Sequence, residues 1–284
     1  MSIIKWIGSK RKLAPRIIET MGPIDHYCEP FGGSLAVFFA LMERDDPLDM
    51  DESVVVLADI NPRLMAMWKM IRDSPEQVID ELDQLPSGSG WREKYNDIRE
   101  MFNGSRVHIS DAKRAAILLW LNKTCFNGLY RENSRGEFNV PIGSYDNPSW
   151  VTAEEIWAAS RLFEGTLLIT DSFLQVMDKV SKPAGHSFVI YCDPPYVPLD
   201  ANGFTAYSSG GFDDWHQKAL ATAAKICARR GCRVYISNHD TEYVREELYP
   251  SSDGFKVEWS TVMTRTVGAS GSKKAGELLV SIGA

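Results

Sequence analysis

Hydrophobic and polar positions follow two rhythms along this chain. The short apolar runs "HYCEPF" and "SVVVLADIN" have the length and β-branched content of buried strands. "LAVFFALME" and "PRLMAMWKMIRD" follow them at helical spacing, the second with proline in its first turn. The alternation resumes near residue 165, where "GTLLITDSF", "SFVIYCDPPY" and "CRVYISNHD" read as strands and "DDWHQKALATAAKICARRG" as a helix ending at Gly231. The simplest α/β architecture for this order is one mostly parallel sheet with helices on both faces. In between, "SPEQVIDELDQL", "WREKYNDIREMFN" and "SDAKRAAILLWLNKTCF" are three helices, and residues 127–149 are polar and turn-rich, with a hairpin look around "SRGEF". The expected organisation is a sheet domain formed by residues 1–72 and 151–284, with a mostly helical insertion over 73–150 that carries a β-hairpin.

Composition narrows this little. At 284 residues, with 44% hydrophobic and 24% charged residues, the chain is an ordinary globular protein. It has no apolar run of transmembrane length and no signal-peptide core in "MSIIKWIGSKRKLAPRI", so a cytoplasmic location is expected. Cys28, Cys125, Cys192, Cys227 and Cys232 are scattered, without a CxxC pair, and the five histidines lack ligand spacing. Neither disulfides nor a metal is expected. The net charge of −7 argues mildly against a nucleic-acid partner. Distribution matters more than the sum. Lys5, Lys10, Arg11, Lys12 and Arg16 form an acid-free basic run, whereas the acids between 43 and 52 read as solvated surface.

Two places carry candidate chemistry. "EPFGGS" lies where an open α/β sheet places ligands, at the carboxyl end of a strand and the start of a helix, and Asp59 ends the next strand, where an acid accepts from ribose hydroxyls. The bland alternative is a Gly-Gly turn with Asp59 as a helix cap. The pattern lacks the dinucleotide fingerprint GxGxxG, so a nucleoside such as S-adenosylmethionine fits better than NAD.

The second place is "DPPY". Asp193 and the Pro194 carbonyl are two acceptors able to draw an exocyclic amino nitrogen toward sp3 geometry, and Tyr196 offers a flat face for an extruded base. The matching electrophile is a sulfonium methyl, which needs no metal. A strand terminator with two prolines in a turn is the alternative.

"KWIGSKRKLAPRI", "EPFGGSLAVF", "ADIN", "NKTCFNGLYRENSRGEFNVPIG", "DPPYVPL" and "ISNHDT" stand in the order seen in Dam-type DNA adenine N6-methyltransferases, and the chain resembles that family over nearly its whole length. The block around "NGLYRENSRGEFNVP" is more specific than DPPY, which many methyltransferases share.

The resemblance implies a Rossmann-like catalytic sheet, an inserted target-recognition domain, and S-adenosyl-L-methionine as methyl donor. It also implies double-stranded DNA as partner with GATC as the usual site; the expected reading is methylation at GATC or a close relative by base flipping, by an enzyme acting as a monomer. Asp193 at the head of the motif matches the variant used on nucleobases. By the same resemblance Asp193, Pro194 and Tyr196 are catalytic. Trp6, Lys10, Phe31, Gly33, Asp59, Asp171 and Asp193 bind the cofactor. Lys5, Phe126, Leu129, Arg131 and Pro141 recognise DNA: Arg131 reads a base, Leu129 and Pro141 add apolar contacts, Phe126 intercalates and Lys5 meets the outer guanine.

The alternatives are a core aromatic for Phe126 and a phosphate contact for Arg131. Leu35 stands where many members carry glycine, which puts the first turn in question. "TRTVGASGSKKAG" reads as a loop in which Arg265, Lys273 and Lys274 either touch phosphates or are merely exposed. Rival functions are methylation of RNA or of a protein amide, and site occupancy by a DNA-binding protein without catalysis. Asp193, the recognition block, the intact DPPY and Asp59 count against them.

Overall fold

The computed structural model describes residues 3–104, 108–181, 188–199, 211–266 and 272–284; the side chains of residues 89, 263–266 and 272–275 lie outside that description. The chain divides into two compact units. One comprises Met1–Pro15, Gly33–Pro47 and Asn61–Thr170, the other Arg16–Gly32, Leu48–Ile60 and Asp171–Ala284. In chain order the described strands are β1 (His26–Glu29), β2 (Val55–Asp59), β3 (Leu167–Thr170), β4 (Phe188–Cys192), β5 (Arg233–His239), β6 (Lys256–Thr266) and β7 (Ser272–Ile282).

All but β3 belong to the second unit, in the order β2-β1-β4-β5-β7-β6. β1 pairs in parallel with β2 and with β4, and β4 in parallel with β5. The run "FVIYC" of β4 is buried at every position, as a strand inside a parallel sheet must be. β1 has its sequence neighbour β2 on one side and the distant β4 on the other. That reversal of strand order opens a crevice at the carboxyl ends of β1 and β4.

The sheet ends in an antiparallel ribbon, β5 against β7 and β7 against β6, with one register shift between Val257 and Trp259. This corrects the expectation of a loop over "TRTVGASGSKKAG". Backbone pairing continues to Thr266 and restarts at Ser272, so Arg265, Lys273 and Lys274 are strand residues, their side chains outside the described set, as are residues 267–271 entirely. The Gly/Ser content masked two flanks that pair across the ladder.

A second correction concerns "GTLLITDSF". β3 ends at Thr170 and Phe173 opens a helix, Phe173–Ser181. The Asp171 carboxylate accepts from the Ser172 N–H at 2.8 Å and bends the chain there. The helix Asp214–Arg229 starts at Asp213, whose capping box closes with His216, and stops before Gly231 at φ +92°.

The first unit is mainly helical. Asn61 caps Pro62–Asp73, accepting from the Arg63 and Leu64 amides; Ser110 caps Asp111–Thr124, and Thr152 forms a capping box at Ala153–Leu162. Phe38, Phe39, Trp68 and Phe163 meet with ring centroids 5.4–5.9 Å apart and form one aromatic core. The expected hairpin is present. Glu132 bridges Phe138, and the Asn133 amide donates to Glu137 O at 2.9 Å. The acids Glu43, Asp45, Asp46, Asp49, Asp51 and Glu52 are all exposed, as a solvated acidic run should be.

All five cysteines are free and buried. Burial raises every one of these thiols: Cys125 up to about 12, Cys227 up to about 11, and Cys28, Cys192 and Cys232 upward as well. A raised thiol stays protonated below its pKa and is neither nucleophilic nor accessible at pH 8. The native protein is therefore expected to be inert to a thiol-specific chromogenic disulfide at pH 8, and all five thiols to react after denaturation in guanidinium. Rapid labelling of the native chain would contradict this burial.

Candidate active site

Proline has no N–H to extend a ladder, so β4 stops at Cys192 and Asp193-Pro194-Pro195-Tyr196 leaves the sheet at its carboxyl edge. The backbone groups of this exit segment are held by side chains. Gln217 Nε2 donates to the Pro195 carbonyl at 2.7 Å, and Gln217 Oε1 accepts from Asn238 Nδ2 at 3.2 Å. Asn238 Oδ1 accepts from the Val197 amide at 3.0 Å, and His239 Nδ1 donates to the Val197 carbonyl at 2.5 Å. Gln217 and Asn238 are fully buried, so these bonds form away from water and fix the loop.

Asp193 and Tyr196 are half-buried and Pro194 is buried. Tyr196 Oη donates to Glu277 Oε1 at 2.6 Å, and its ring meets His239 edge-on at 5.0 Å and 85°. Desolvation, then the Asp193 and Glu277 carboxylates, push the Tyr196 hydroxyl well above the usual phenol range, so it stays protonated.

The same unit holds Phe31, Asp59 and Asp171. Phe31 stacks on Phe173 at 5.1 Å and 26° and meets Phe212 edge-on at 5.8 Å, which gives the segment after β1 an aromatic wall. The Gly32 amide donates to the Ala58 carbonyl at 2.7 Å, tying this segment to β2, whose last residue is the half-buried Asp59. The N-cap of the following helix is Asn61 rather than Asp59. Asp171 accepts from Lys179 Nζ at 2.8 Å; that bond, then the Ser172 amide, hold its carboxyl below the usual range. It is ionised at neutral pH.

In the first unit Trp6 lies against Gly33: a Cβ on Gly33, at φ +49°, would stand 2.8 Å from Trp6 Cδ1 and Nε1. Leu35 adopts φ 54°, ψ 33°, the left-handed region that favours glycine, and is fully buried. The leucine therefore keeps a glycine-type turn, at about 1–2 kcal/mol of backbone strain. Lys10 is buried and donates to the Gly8 carbonyl at 2.6 Å. Lys5 Nζ sits 4.1 Å from the centre of the Tyr145 ring.

Asn122 holds the Lys5 backbone at both ends. Its Oδ1 accepts from the Lys5 amide at 2.8 Å, and its Nδ2 donates to Lys5 O at 2.7 Å and to Gly128 O at 3.2 Å. Gly128, at φ +63°, leaves no room for a Cβ, which would lie 2.5 Å from that of Lys5. The N-terminal segment and the turn Phe126–Gly128 are thus packed together.

Phe126 is half-buried and follows the helix without entering the core, against the core-aromatic alternative. Its amide donates to Pro141 O at 2.9 Å. Asn127, between Phe126 and Gly128, is at φ 54°. Leu129 is half-buried and Pro141 exposed. Arg131 is exposed; its Nε donates to Asn139 Oδ1 at 2.7 Å and its Nη2 to Asn139 O at 3.2 Å, which aims the guanidinium while other donors remain. Lys5, Phe126, Leu129, Arg131 and Pro141 thus belong to one unit, as do Phe31, Asp59, Asp171, Asp193, Pro194 and Tyr196 to the other.

Sequence reasoning missed Asn122, Gln217, Asn238, His239 and Glu277 as supports of these loops. Two of them left a signal: Asn122 closes the apolar run "AILLWL" while its helix continues, and Glu277 is a lone acid at the head of "ELLVSI". Buried polar residues of that kind need specific partners.

Residues 6–263 match the family described as D12 class N6 adenine-specific DNA methyltransferase. A type II methyltransferase, M.MjaIII, of Methanocaldococcus jannaschii is 32% identical over 95% of this chain and 94% of its own. The DNA adenine methylase of Vibrio cholerae is 34% identical over 98% of this chain and 94% of its own, and that of Escherichia coli K12 34% over 86% and 83%. With nearly its whole length matched, the chain belongs to the D12 class of N6 adenine-specific DNA methyltransferases.

Proposed function

We propose that this adenine-specific methyltransferase moves a methyl group from S-adenosyl-L-methionine to N6 of adenine in double-stranded DNA, at GATC, with the target base turned out of the duplex. The observation that carries the reading is the loop after β4, where Asp193, Pro194 and Tyr196 stand at the carboxyl edge beside the strand-order reversal, held by Gln217, Asn238 and His239. Asp193 and the Pro194 carbonyl accept hydrogen bonds from the amino group and localise its lone pair. The nitrogen attacks the methyl carbon as the carbon–sulfur bond breaks, and the N6 proton leaves toward solvent. Tyr196 supplies the face on which the extruded adenine stacks.

The cofactor, when bound, supplies an electrophilic methyl. The second unit suits it: Phe31 with Phe173 gives an apolar face, and Asp59 and Asp171 give carboxylates for hydroxyl and amino donors. Trp6, Lys10 and Gly33 enter the proposal on the family resemblance. We place the chemistry in residues 1–72 and 151–284 and target recognition in 73–150, where Arg131 reads guanine, Leu129 and Pro141 press on thymine and Phe126 intercalates beside the flipped adenine, while Lys5 meets the outer guanine from the catalytic part. A single copy acts, in the cytoplasm, a compartment that suits five unpaired thiols.

Asp193→Ala is expected to fold with the wild-type circular dichroism spectrum and to transfer no labelled methyl to a GATC duplex. Normal incorporation would sink the mechanism. Expression in a methylation-free bacterium, with N6-methyladenine mapped at base resolution, should mark GATC. In the same assay Arg131→Ala should lose about 1–3 kcal/mol of discrimination at one guanine position. An unchanged site preference would remove Arg131 from base reading.

A further inference from the structure

We infer that Glu277 is a positioning residue that aims the Tyr196 ring at the target base through the phenol hydroxyl. The inference rests on the proposed role of Tyr196 as the stacking face. In the antiparallel β5–β7 ladder, Glu277 is directly opposite His239. Residues directly opposite in such a ladder project from the same face of the sheet. Both reach Tyr196: His239 packs against the ring at 5.0 Å and 85°, and Glu277 Oε1 accepts from Oη at 2.6 Å. That distance lies in the range of a hydroxyl bonded to a carboxylate, the stronger class of neutral-to-charged hydrogen bond. Glu277 is 2% exposed, so water does not compete for its oxygen.

Stacking on a base needs only an aromatic face, which phenylalanine would also give. The hydroxyl of Tyr196 has a different use. Its proton is committed to Glu277, and together with the His239 contact this defines the plane of the ring. The loop backbone is held by Gln217 and Asn238, so the Glu277–Tyr196 bond adds control of the ring to a loop whose backbone is already fixed. Loss of the bond should slow the chemical step while leaving cofactor affinity unchanged.

The test is a double-mutant cycle on the full-length enzyme, read as single-turnover methyl transfer to a GATC duplex, with S-adenosylmethionine affinity measured by calorimetry. Tyr196→Phe and the near-isosteric Glu277→Met are each expected to slow transfer about tenfold, and the pair together also about tenfold, because both delete the same bond. Glu277→Gln, which keeps an acceptor oxygen, should stay within about threefold of wild type. A loss of about a hundredfold in the double variant, wild-type rate in Glu277→Met, or weakened cofactor binding would overturn the inference. If Glu277→Met does not fold, Tyr196→Phe decides beside Glu277→Gln: wild-type rate in Tyr196→Phe overturns it, and a tenfold loss there with unchanged cofactor affinity and near-wild-type rate in Glu277→Gln supports it. Tyr196→Ala separates the two layers, since wild-type transfer by that variant would refute Tyr196 as the stacking face whatever the cycle gives.

Discussion

Everything at the β4 exit depends on a deficiency of the backbone. Two consecutive prolines cannot donate, so the sheet cannot hold residues 193–197, and a loop left to itself at a ligand crevice would be loose. The missing order comes from a chain of buried amides, Pro195 O to Gln217, Gln217 to Asn238, Asn238 to the Val197 N–H. Each link uses a different element: the loop, the helix Asp214–Arg229 and β5. A half-satisfied network of this kind would be worse than an apolar core, because each orphaned group keeps its desolvation cost. The segment is therefore held in one conformation or not held at all, a property that suits a group-transfer site.

Strain is placed with similar economy. Among the described residues, only Leu35 and Asn127 are non-glycine residues at positive φ. Leu35 turns the chain after Phe31-Gly32-Gly33-Ser34, and Asn127 turns it between Phe126 and Leu129. Both positions adjoin residues that the proposed function uses. Full burial offsets the cost at Leu35; at Asn127 the neighbours Gly128 and Asn122 hold the turn. Local conformational cost is tolerated where surroundings over-determine the backbone.

Much of this was legible from hydrophobic pattern. The buried strands β1, β2, β4 and β5, and the helices at 62–73, 91–102 and 214–229, follow from runs whose period matches their burial. The β6–β7 ribbon was not legible, because "VGASGSKKAG" carries loop composition while its flanks pair with each other across the β6–β7 ladder. Phe173 was misread as strand because one acid, Asp171, ends β3 two residues earlier. For the candidate site, Asp193, Pro194 and Tyr196 could be named from sequence, since the proposed chemistry uses their own atoms. The residues that position them could not. Gln217 and Glu277 are 22 and 81 residues from the atoms they bind, and no local pattern encodes a partner at that distance.

The hairpin around Glu132 and Phe138 follows a different economy. It is stabilised largely by its own polar groups: Arg131 with Asn139, Asn133 with Glu137, and Arg135 with Glu137, an exposed pair whose worth is small. What fixes it firmly is at its base, where Tyr95 Oη donates to Val140 O at 2.9 Å, Asn103 brackets Phe138 through both its amide and carbonyl, and Phe138 meets Phe102 edge-on. The buried side of the hairpin thus carries the stability and the exposed side carries Arg131 and Pro141. Because the buried and exposed groups fall on opposite sides of one ribbon, the exposed side chains can change without disturbing the fold. A chain with a net charge of −7 gains little from bulk attraction to a phosphate backbone. Under the proposed function, affinity for DNA then rests on local groups such as the exposed Arg131, carried on a hairpin whose base is held by Tyr95, Asn103 and Phe102.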